Sequence, residues 1–456
     1  MKGRTKGRKY TVETYIEKQV AFFKENATPN AKLLGMEFEH FLLDRASLRS
    51  YDYHEPHGQH DLLRHLLNLG WDILLEEDGY LLGIEKEGST ITLEPGGQVE
   101  ISLRPLETVK SIDAEYMKIM DEIASVMMEN QILAGLGYHP VTKIDALQLL
   151  PKKRYGMMYA YFENNGAYCH NMMKGTAATQ VSIDYENEAD FIRKFRVANY
   201  LSPVISSLFD ATPFFEGEPT VGRNMRARIW AETDVKRSKL IPGSLSLEFG
   251  FEDYVKYLLK LPPILLYTEG ELVFSGEQTL EEALNQYSFD EKELEHHTSM
   301  VFPDVRLKKF IEIRMPDALP YPYNLAVASL IKALFYNETL LDKYYQKSRS
   351  VDDAWVESQN EALKQTEVNS CIAALDVHVN IGETLDIMSL KNELLGDVIE
   401  SLTADEAVYL EKVRDIMLKD GSFTAYLQRL ALSDPEAFRN AITIVGGKND
   451  LRTQIG

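Results

Sequence analysis

The stretch LEPGGQVEISLRPL, residues 93–106, places a Pro-Gly-Gly turn between two glutamates and then alternates Gln98, Glu100 and Ser102 with Val99, Ile101 and Leu103. Successive side chains of a strand point to opposite faces, so the pattern reads as a turn feeding a strand with one polar and one apolar face. The same spacing of two recurs in other segments that read as strands. Glu37 and Glu39 stand in LLGMEFEHFLLD, Gln180 and Ser182 in TAATQVSIDY (176–185), and Glu312 and Arg314 in RLKKFIEIRMP (306–316). Their alternates Phe38, Val181, Ile183, Ile311 and Ile313 are expected to face a hydrophobic layer.

Two explanations fit this pattern. Each strand can turn its polar face to water, where alternation is ordinary. If the strands are neighbours, however, several carboxylates converge, and their repulsion raises their pKa values unless cations neutralise them. A hard divalent metal such as Mg2+, bound through oxygen ligands, is the economical remedy, and it would leave positions open for nucleotide phosphates. Spacing alone does not choose between the two.

Around these strands the chain predicts helices at 10–27, where Val12, Ile16, Val20 and Phe23 recur at helical spacing, at 59–70, and at 108–134. The segment NEADFIRKFRVANYLSPVISSLFD predicts a helix broken by Pro203. Strands and helices interleave irregularly, which argues for an α+β fold with an antiparallel or mixed sheet. Residues 1–456 read as a single domain, with a sheet-bearing core over 1–322 and a mainly helical part over 323–456.

The balance of 49 Lys+Arg against 70 Asp+Glu gives a net charge of −21, which argues against a nucleic-acid partner. The two cysteines, Cys169 and Cys371, are too few for a disulfide framework and predict a cytoplasmic protein. No run of about eighteen apolar residues predicts a membrane span. The basic start MKGRTKGRKY leads into an amphipathic pattern and lacks the apolar core of a signal peptide.

The blocks GMEFEHF, TLEPGGQVEISLRPLET, PKKRYGMM, TQVSIDYENEADFIRKFR, LFDATPFFEGEP, MRARIWAETDVKRS, FGFEDYVKYLL and HHTSMVFPDVRLKKFIEIR follow one another over roughly residues 35–320. In that order they resemble the plant-type glutamate-cysteine ligases (γ-glutamylcysteine synthetases). The resemblance implies the glutamine synthetase and guanido kinase superfamily fold: a curved, mainly antiparallel sheet forming a funnel, flanked by helices. It implies ATP-dependent ligation of L-glutamate, through its γ-glutamyl phosphate, to L-cysteine, the first step of glutathione-type thiol synthesis. It also implies several Mg2+ ions, small-molecule substrates, and a monomer or homodimer.

By the same resemblance Glu37, Glu39, Glu94, Glu100 and Glu312 would hold the Mg2+ ions, with Gln180 as a further ligand beside the metal and the substrate. Arg226 would pair with the α-carboxylate of glutamate, as a guanidinium fork suits, and Trp230 would wall that pocket. Arg314 would meet the transferring phosphate, and Arg154, Arg306 and Lys308 would contact ATP. Two departures stand out: Arg228 replaces a histidine of the family's pattern, and MPDALPYP (315–322) replaces a glycine-rich segment. A ligase using another amine acceptor, and a non-catalytic relative that binds nucleotide or amino acid, remain open readings.

Other motifs carry less. His54, His57 and His60 in HEPHGQH have zinc-like spacing, but Pro56 and Gly58 interrupt any helix, so a polar loop bordering the active site is expected. Cys169-His170 predicts a structural thiol, since adjacent residues do not face each other on a strand.

Overall fold

The computed structural model describes residues 9–268, 271–289, 291–364 and 385–446; most of the basic start and Cys371 lie outside them. Fourteen strands are described: β1 (Leu34–Asp44), β2 (Asp72–Glu77), β3 (Tyr80–Lys86), β4 (Ser89–Leu93), β5 (Val99–Ser102), β6 (Gln131–Ala134), β7 (Thr179–Ile183), β8 (Phe214–Phe215), β9 (Glu218–Pro219), β10 (Ile264–Thr268), β11 (Glu271–Gly276), β12 (Val305–Leu307), β13 (Ile311–Ile313) and β14 (Thr443–Gly446). Ten of them form one open sheet in the order β12-β13-β7-β1-β5-β4-β3-β2, with β6 pairing the far half of β1 and β14 pairing β6. Every pairing is antiparallel. Strands β8 with β9 and β10 with β11 make two small ribbons apart from it.

The order places β1 at the centre, with β7 and β5 on either side, so the segments carrying the polar alternation are neighbours. Their apolar alternates face a sealed layer: Phe38, Val99, Ile101, Val181, Ile183, Ile311 and Ile313 are all buried. Helix Val109–Val126 packs there, with the Tyr116 ring 4.5 Å from that of Phe38. His40 also points into this layer, hydrogen-bonded to the Tyr116 hydroxyl at 2.8 Å and the Val99 carbonyl at 3.0 Å. Burial pulls its pKa down to about 4, so it is a neutral core residue. The buried apolar residues form one continuous cluster running from Tyr10 to Val445.

Several expectations need correction. Residues 306–316 are not one strand: the chain turns at Lys308–Phe310, making β12 and β13 a hairpin in which Arg306 stands directly across from Glu312. The helix expected over 108–134 stops at Val126, and Gln131–Ala134 becomes β6 because four apolar-flanked residues find an edge on β1. Pro203 does not break its helix, which runs continuously from Glu188 to Leu208. That segment is buried almost all round from Lys194 onward, and packing outweighs the one hydrogen bond a proline removes. Helix Val12–Glu25 buries Tyr15, Gln19 and Phe23, while Val12, Ile16 and Val20 are only partly covered. Strands β2 and β14 carry no alternation that marked them in advance.

The Pro-Gly-Gly turn is fixed by close approach. Gly97 adopts φ +82°, and a Cβ on Gly96 would lie 2.2 Å from the carbonyl oxygen of Lys174. Gly79 also has positive φ, but a Cβ there would meet nothing within 4 Å. Gly96→Ala should therefore cost roughly 2 kcal/mol or more of stability, and Gly79→Ala about 1 kcal/mol from backbone strain alone. Urea unfolding of the two variants checks this; equal losses would show that the turn does not press on the helix beneath it.

Candidate active site

Six neighbouring strands or their ends each bring a polar side chain to the open face of the sheet. In sheet order these are Arg306 on β12, Glu312 on β13 with Arg314 just beyond, Gln180 on β7, Glu37 and Glu39 on β1, Glu100 on β5 and Thr92 on β4. Register makes the contacts: Glu37 faces Gln180 and Ser102, Glu39 faces Glu100, and Glu100 faces Thr92. They floor a cleft of about 370 Å³ whose lining includes every site residue named from the sequence: Glu37, Glu39, Glu94, Glu100, Gln180, Glu312, Arg154, Arg226, Trp230, Arg306, Lys308 and Arg314. The HEPHGQH histidines do not line it.

One hydrogen-bonded chain crosses the floor. The Gln180 amide donates to Glu39 Oε1 at 3.0 Å, the Ala178 N–H donates to Glu39 Oε2 at 2.8 Å, and Arg314 donates to the Gln180 carbonyl oxygen. Arg314 also donates to Glu312 Oε2 at 3.0 Å, and Arg306 donates to the same oxygen at 2.6 Å. Lys308 adds a third cation 3.5 Å from the other oxygen of Glu312. Burial pushes the Glu312 carboxyl up, but Arg306, Lys308 and Arg314 together pull it well below the usual range, so it is a firmly ionised anion.

The other carboxylates are relieved less, since the cations that pull Glu37 and Glu39 down do not outweigh burial. Burial, then Glu94, pushes Glu39 up to about 8. Burial, then Glu94, Glu37 and Glu39, pushes Glu100 well above the usual range, although the Thr92 hydroxyl donates to it at 2.9 Å. Burial and the Glu312 charge raise Glu37. Opposed residues of an antiparallel pair stand about 5 Å apart, and two charges at that distance repel by about 3 kcal/mol at an effective dielectric of about 20. That is roughly two pKa units for a fully charged pair, and it adds to the burial that is the first cause of both shifts.

The cleft lining thus mixes both signs of charge. Glu37, Glu39, Glu94 and Glu100 share it with Lys152, Arg154, Arg226 and Arg314; Lys152 lies in the field of Glu94 and Glu100, and Arg226 and Arg314 in that of Glu39. Arg154 touches only the Met300 sulfur, at 3.4 Å, and its Nε has no partner; among the described residues no carboxylate pairs with it. Arg314 lies 5.8 Å over the Trp230 ring, and Arg314 Nε and Trp230 Nε1 are likewise unpartnered. Two arginines differ from expectation. Arg226 donates from its two terminal nitrogens to the carbonyls of Met315 and Arg314, each at 3.1 Å, and lies 3.7 Å from Asp317 Oδ1, so its fork is partly engaged by the protein and only Nε has no partner. Arg306 is spent on Glu312 and on the carbonyls of Ser299 and Val301, at 3.2 and 3.0 Å, so it braces Glu312 and has no fork to offer a nucleotide.

The acidic group has the chemistry that holds a hard divalent cation: buried oxygen donors that repel one another and that the nearby protein cations leave held toward the protonated form. Among the described residues, however, no three Asp, Glu, His or Cys side chains already converge as a ligand set, so the donors would have to turn toward an ion. Sequence reading missed Thr92, Lys152 and Tyr155. Thr92 is two residues before Glu94 and was legible by the same spacing rule, whereas Lys152 and Tyr155 come from the flanking helix, whose cleft-facing side no periodicity marks. Cys169 is a buried thiol with its pKa raised by burial, and His170 stacks on Tyr159 at 3.6 Å.

An open antiparallel sheet thus floors one cleft lined by both carboxylates and guanidinium groups. The chain matches glutamate-cysteine ligase family 2 (GCS2) over residues 33–431 and belongs to that family. It is 32% identical over 344 residues to the chloroplastic glutamate–cysteine ligase of Brassica juncea, covering 73% of this chain and 65% of that protein. It is 29% identical over 397 residues to the chloroplastic enzyme of Medicago truncatula, covering 84% and 75%. The chain thus spans about two thirds to three quarters of these relatives' length. The crystal structure of glutamate–cysteine ligase from Francisella tularensis in complex with AMP shares the fold, with a TM-score of 0.52 at 12% identity over 90% of this chain and 87% of that one. The expectation of a cytoplasmic protein is overturned by relatives whose names place them in chloroplasts. A low cysteine count fits any reducing compartment and cannot choose among them.

The raised carboxylates have a consequence for stability. The folded chain keeps the Glu39 proton where the unfolded chain, with the usual value of 4.5, has released it, so stability falls as pH rises from about 4.5 to about 8. Glu312 acts in the opposite sense, its contribution being present above the usual carboxylate pKa and lost as pH falls through its depressed value. In chelator the thermal midpoint should therefore drop between about pH 5.5 and 8, and millimolar Mg2+ should raise it more at the higher pH, where it no longer competes with protons. A midpoint indifferent to both pH and cation would contradict this assignment.

Proposed function

We propose that the cleft joins the γ-carboxylate of L-glutamate to the amine of L-cysteine at the expense of ATP, giving γ-glutamylcysteine, ADP and phosphate. The observation that carries this reading is the row of buried carboxylates held toward the protonated form in one cleft with Arg154, Arg226 and Arg314, in a chain of the glutamate-cysteine ligase family. A carboxylate attacking a triphosphate is a meeting of anions, so the site must spread negative charge before it can bring the reactants together.

In this reading Glu37, Glu39, Glu94 and Glu100 hold Mg2+. Bound there, the metal supplies positive charge to the phosphate oxygens. Glu312, already balanced by Arg306, Lys308 and Arg314, works chiefly by fixing Arg314, and completes the metal site only where its Oε1, which accepts no hydrogen bond, is reached. Arg314 offers Nε–H to the transferring phosphoryl group, and Arg154 and Lys308 attract the remaining phosphate charge. Arg306 contributes through Glu312. Arg226 presents Nε–H to the α-carboxylate of glutamate, and Trp230 walls that pocket with its indole N–H free to donate. Gln180 keeps Glu39 and Arg314 at fixed separation by bonding both. The continuous core supports treating the described chain as one working domain.

The reading is tested by phosphate release from ATP with Mg2+, glutamate and a panel of amines. Release with cysteine and a γ-glutamylcysteine product is expected; turnover with another amine alone, or none that depends on glutamate, would overturn it. Glu100→Gln should reduce turnover roughly 100-fold or more. Because it deletes a charge that the fold disfavours, its thermal midpoint at pH 8 should equal or exceed that of the parent. A variant that keeps its activity would refute the role given to Glu100.

A further inference from the structure

The segment MPDALPYP, which stands where the resembling ligases carry a glycine-rich run, is locked into the back of the cleft. The Thr179 N–H donates to the Pro316 carbonyl at 3.2 Å, the Asp317 N–H to Phe209 at 3.1 Å and the Ala318 N–H to Ala177 at 3.0 Å. The Asp317 side chain is buried. Its Oδ2 accepts from the Ala211 N–H at 2.9 Å and the Thr212 hydroxyl at 2.7 Å, and its Oδ1 lies 3.7 Å from the Arg226 guanidinium. A Cβ on Gly137 would fall 2.2 Å from Asp317 Oδ2, so the backbone is pressed against this carboxylate.

Among the described residues Asp317 is the one carboxylate that pairs with Arg226. A second buried acid, Asp210, lies beside it with one oxygen bonded by the Thr424 hydroxyl at 2.9 Å and the other unpartnered. Burial and the neighbouring Asp317 push Asp210 up to about 7. Burial raises Asp317 too, but Arg226, the Thr212 hydroxyl and the Ala211 N–H oppose it, so of the two it is Asp317 that keeps the charge and Asp210 that takes the proton. Arg226 in turn grips the carbonyls of Arg314 and Met315, the residues that lead from β13 into Asp317. Asp317, Arg226 and the backbone of Arg314 thus form a closed loop behind the cleft.

We propose that Asp317 is a positioning residue for the ligase reaction: it fixes the Arg226 guanidinium in the cleft lining, where the anionic substrate would meet it, and through Arg226 it sets the backbone that carries Arg314. This deepens, and rests on, the reading of the cleft as a glutamate site. A carboxylate that serves only the fold would be replaceable by any group keeping its hydrogen bonds, whereas one that orients a guanidinium needs its charge.

The test compares Asp317→Asn, which keeps the shape and an acceptor but loses the charge, with Thr212→Val, which removes a hydrogen bond from the same carboxylate and leaves its charge. Asp317→Asn should raise the KM for glutamate at least tenfold, leave the KM for ATP within twofold, and melt within a few degrees of Thr212→Val. An unchanged glutamate KM, or the same kinetic loss in Thr212→Val, would overturn the proposal. A second measurement does not depend on activity. With Trp71 and Trp355 replaced by phenylalanine, Trp230 alone reports beside Arg314, and Asp317→Asn should increase its quenching by iodide at least twofold. If the parent protein shows no glutamate-dependent phosphate release, the ligase reading falls, and unchanged quenching would then overturn the clamp as well.

Discussion

Glu39 and Glu100 stand opposite one another on adjacent strands at the middle of the sheet, and their burial together with Glu94 and Glu37 is the constraint from which the rest of the site follows. Protein cations offset it only in part: Arg226 and Arg314 pull Glu39 down, yet its carboxyl still lies at about 8, while Arg306 and Lys308 are paired with Glu312 and Arg226 also with backbone carbonyls and Asp317. A fold tolerates such a pair only if a proton or a bound cation takes up the charge. The cleft therefore makes its ligand part of its own electrostatic balance.

The same logic separates two kinds of carboxylate that look alike in sequence. Glu37, Glu39 and Glu100 sit among other acids and are held toward the protonated form, while Glu312 sits among three cations and is held ionised. What distinguishes them is the hairpin at Lys308–Phe310, which folds Arg306 back across from Glu312. Gln180 links the two halves, since its amide is the only side chain on the floor bonded both to the acidic set and to Arg314 among the described residues.

Much of this was legible in the residues. Alternation at a spacing of two placed Glu37, Glu39, Glu100, Gln180 and Glu312 on one face and Phe38, Val99, Ile101 and Ile183 on the other, because a strand's geometry allows nothing else. Ordered matches of whole blocks supplied what spacing lacked, namely that the strands are neighbours. Partner choice within the site was not legible. Whether Arg226 gives its fork to a substrate or to Met315 and Arg314 depends on the path of the chain after β13, and the turn that converts 306–316 into a hairpin has no glycine or proline to announce it. Strands β6 and β14 form at the edges of an existing sheet, where tertiary pairing and not local pattern selects the conformation.

The central claim, that the acidic group of this cleft takes up divalent cations together with nucleotide, is most directly tested by titrating Mn2+ into the protein with a non-hydrolysable ATP analogue and following free Mn2+ by electron paramagnetic resonance. The account predicts that at least one ion is bound per chain, and that Glu39→Gln combined with Glu100→Gln releases it while the protein stays folded. Undiminished Mn2+ binding in that double variant would contradict it.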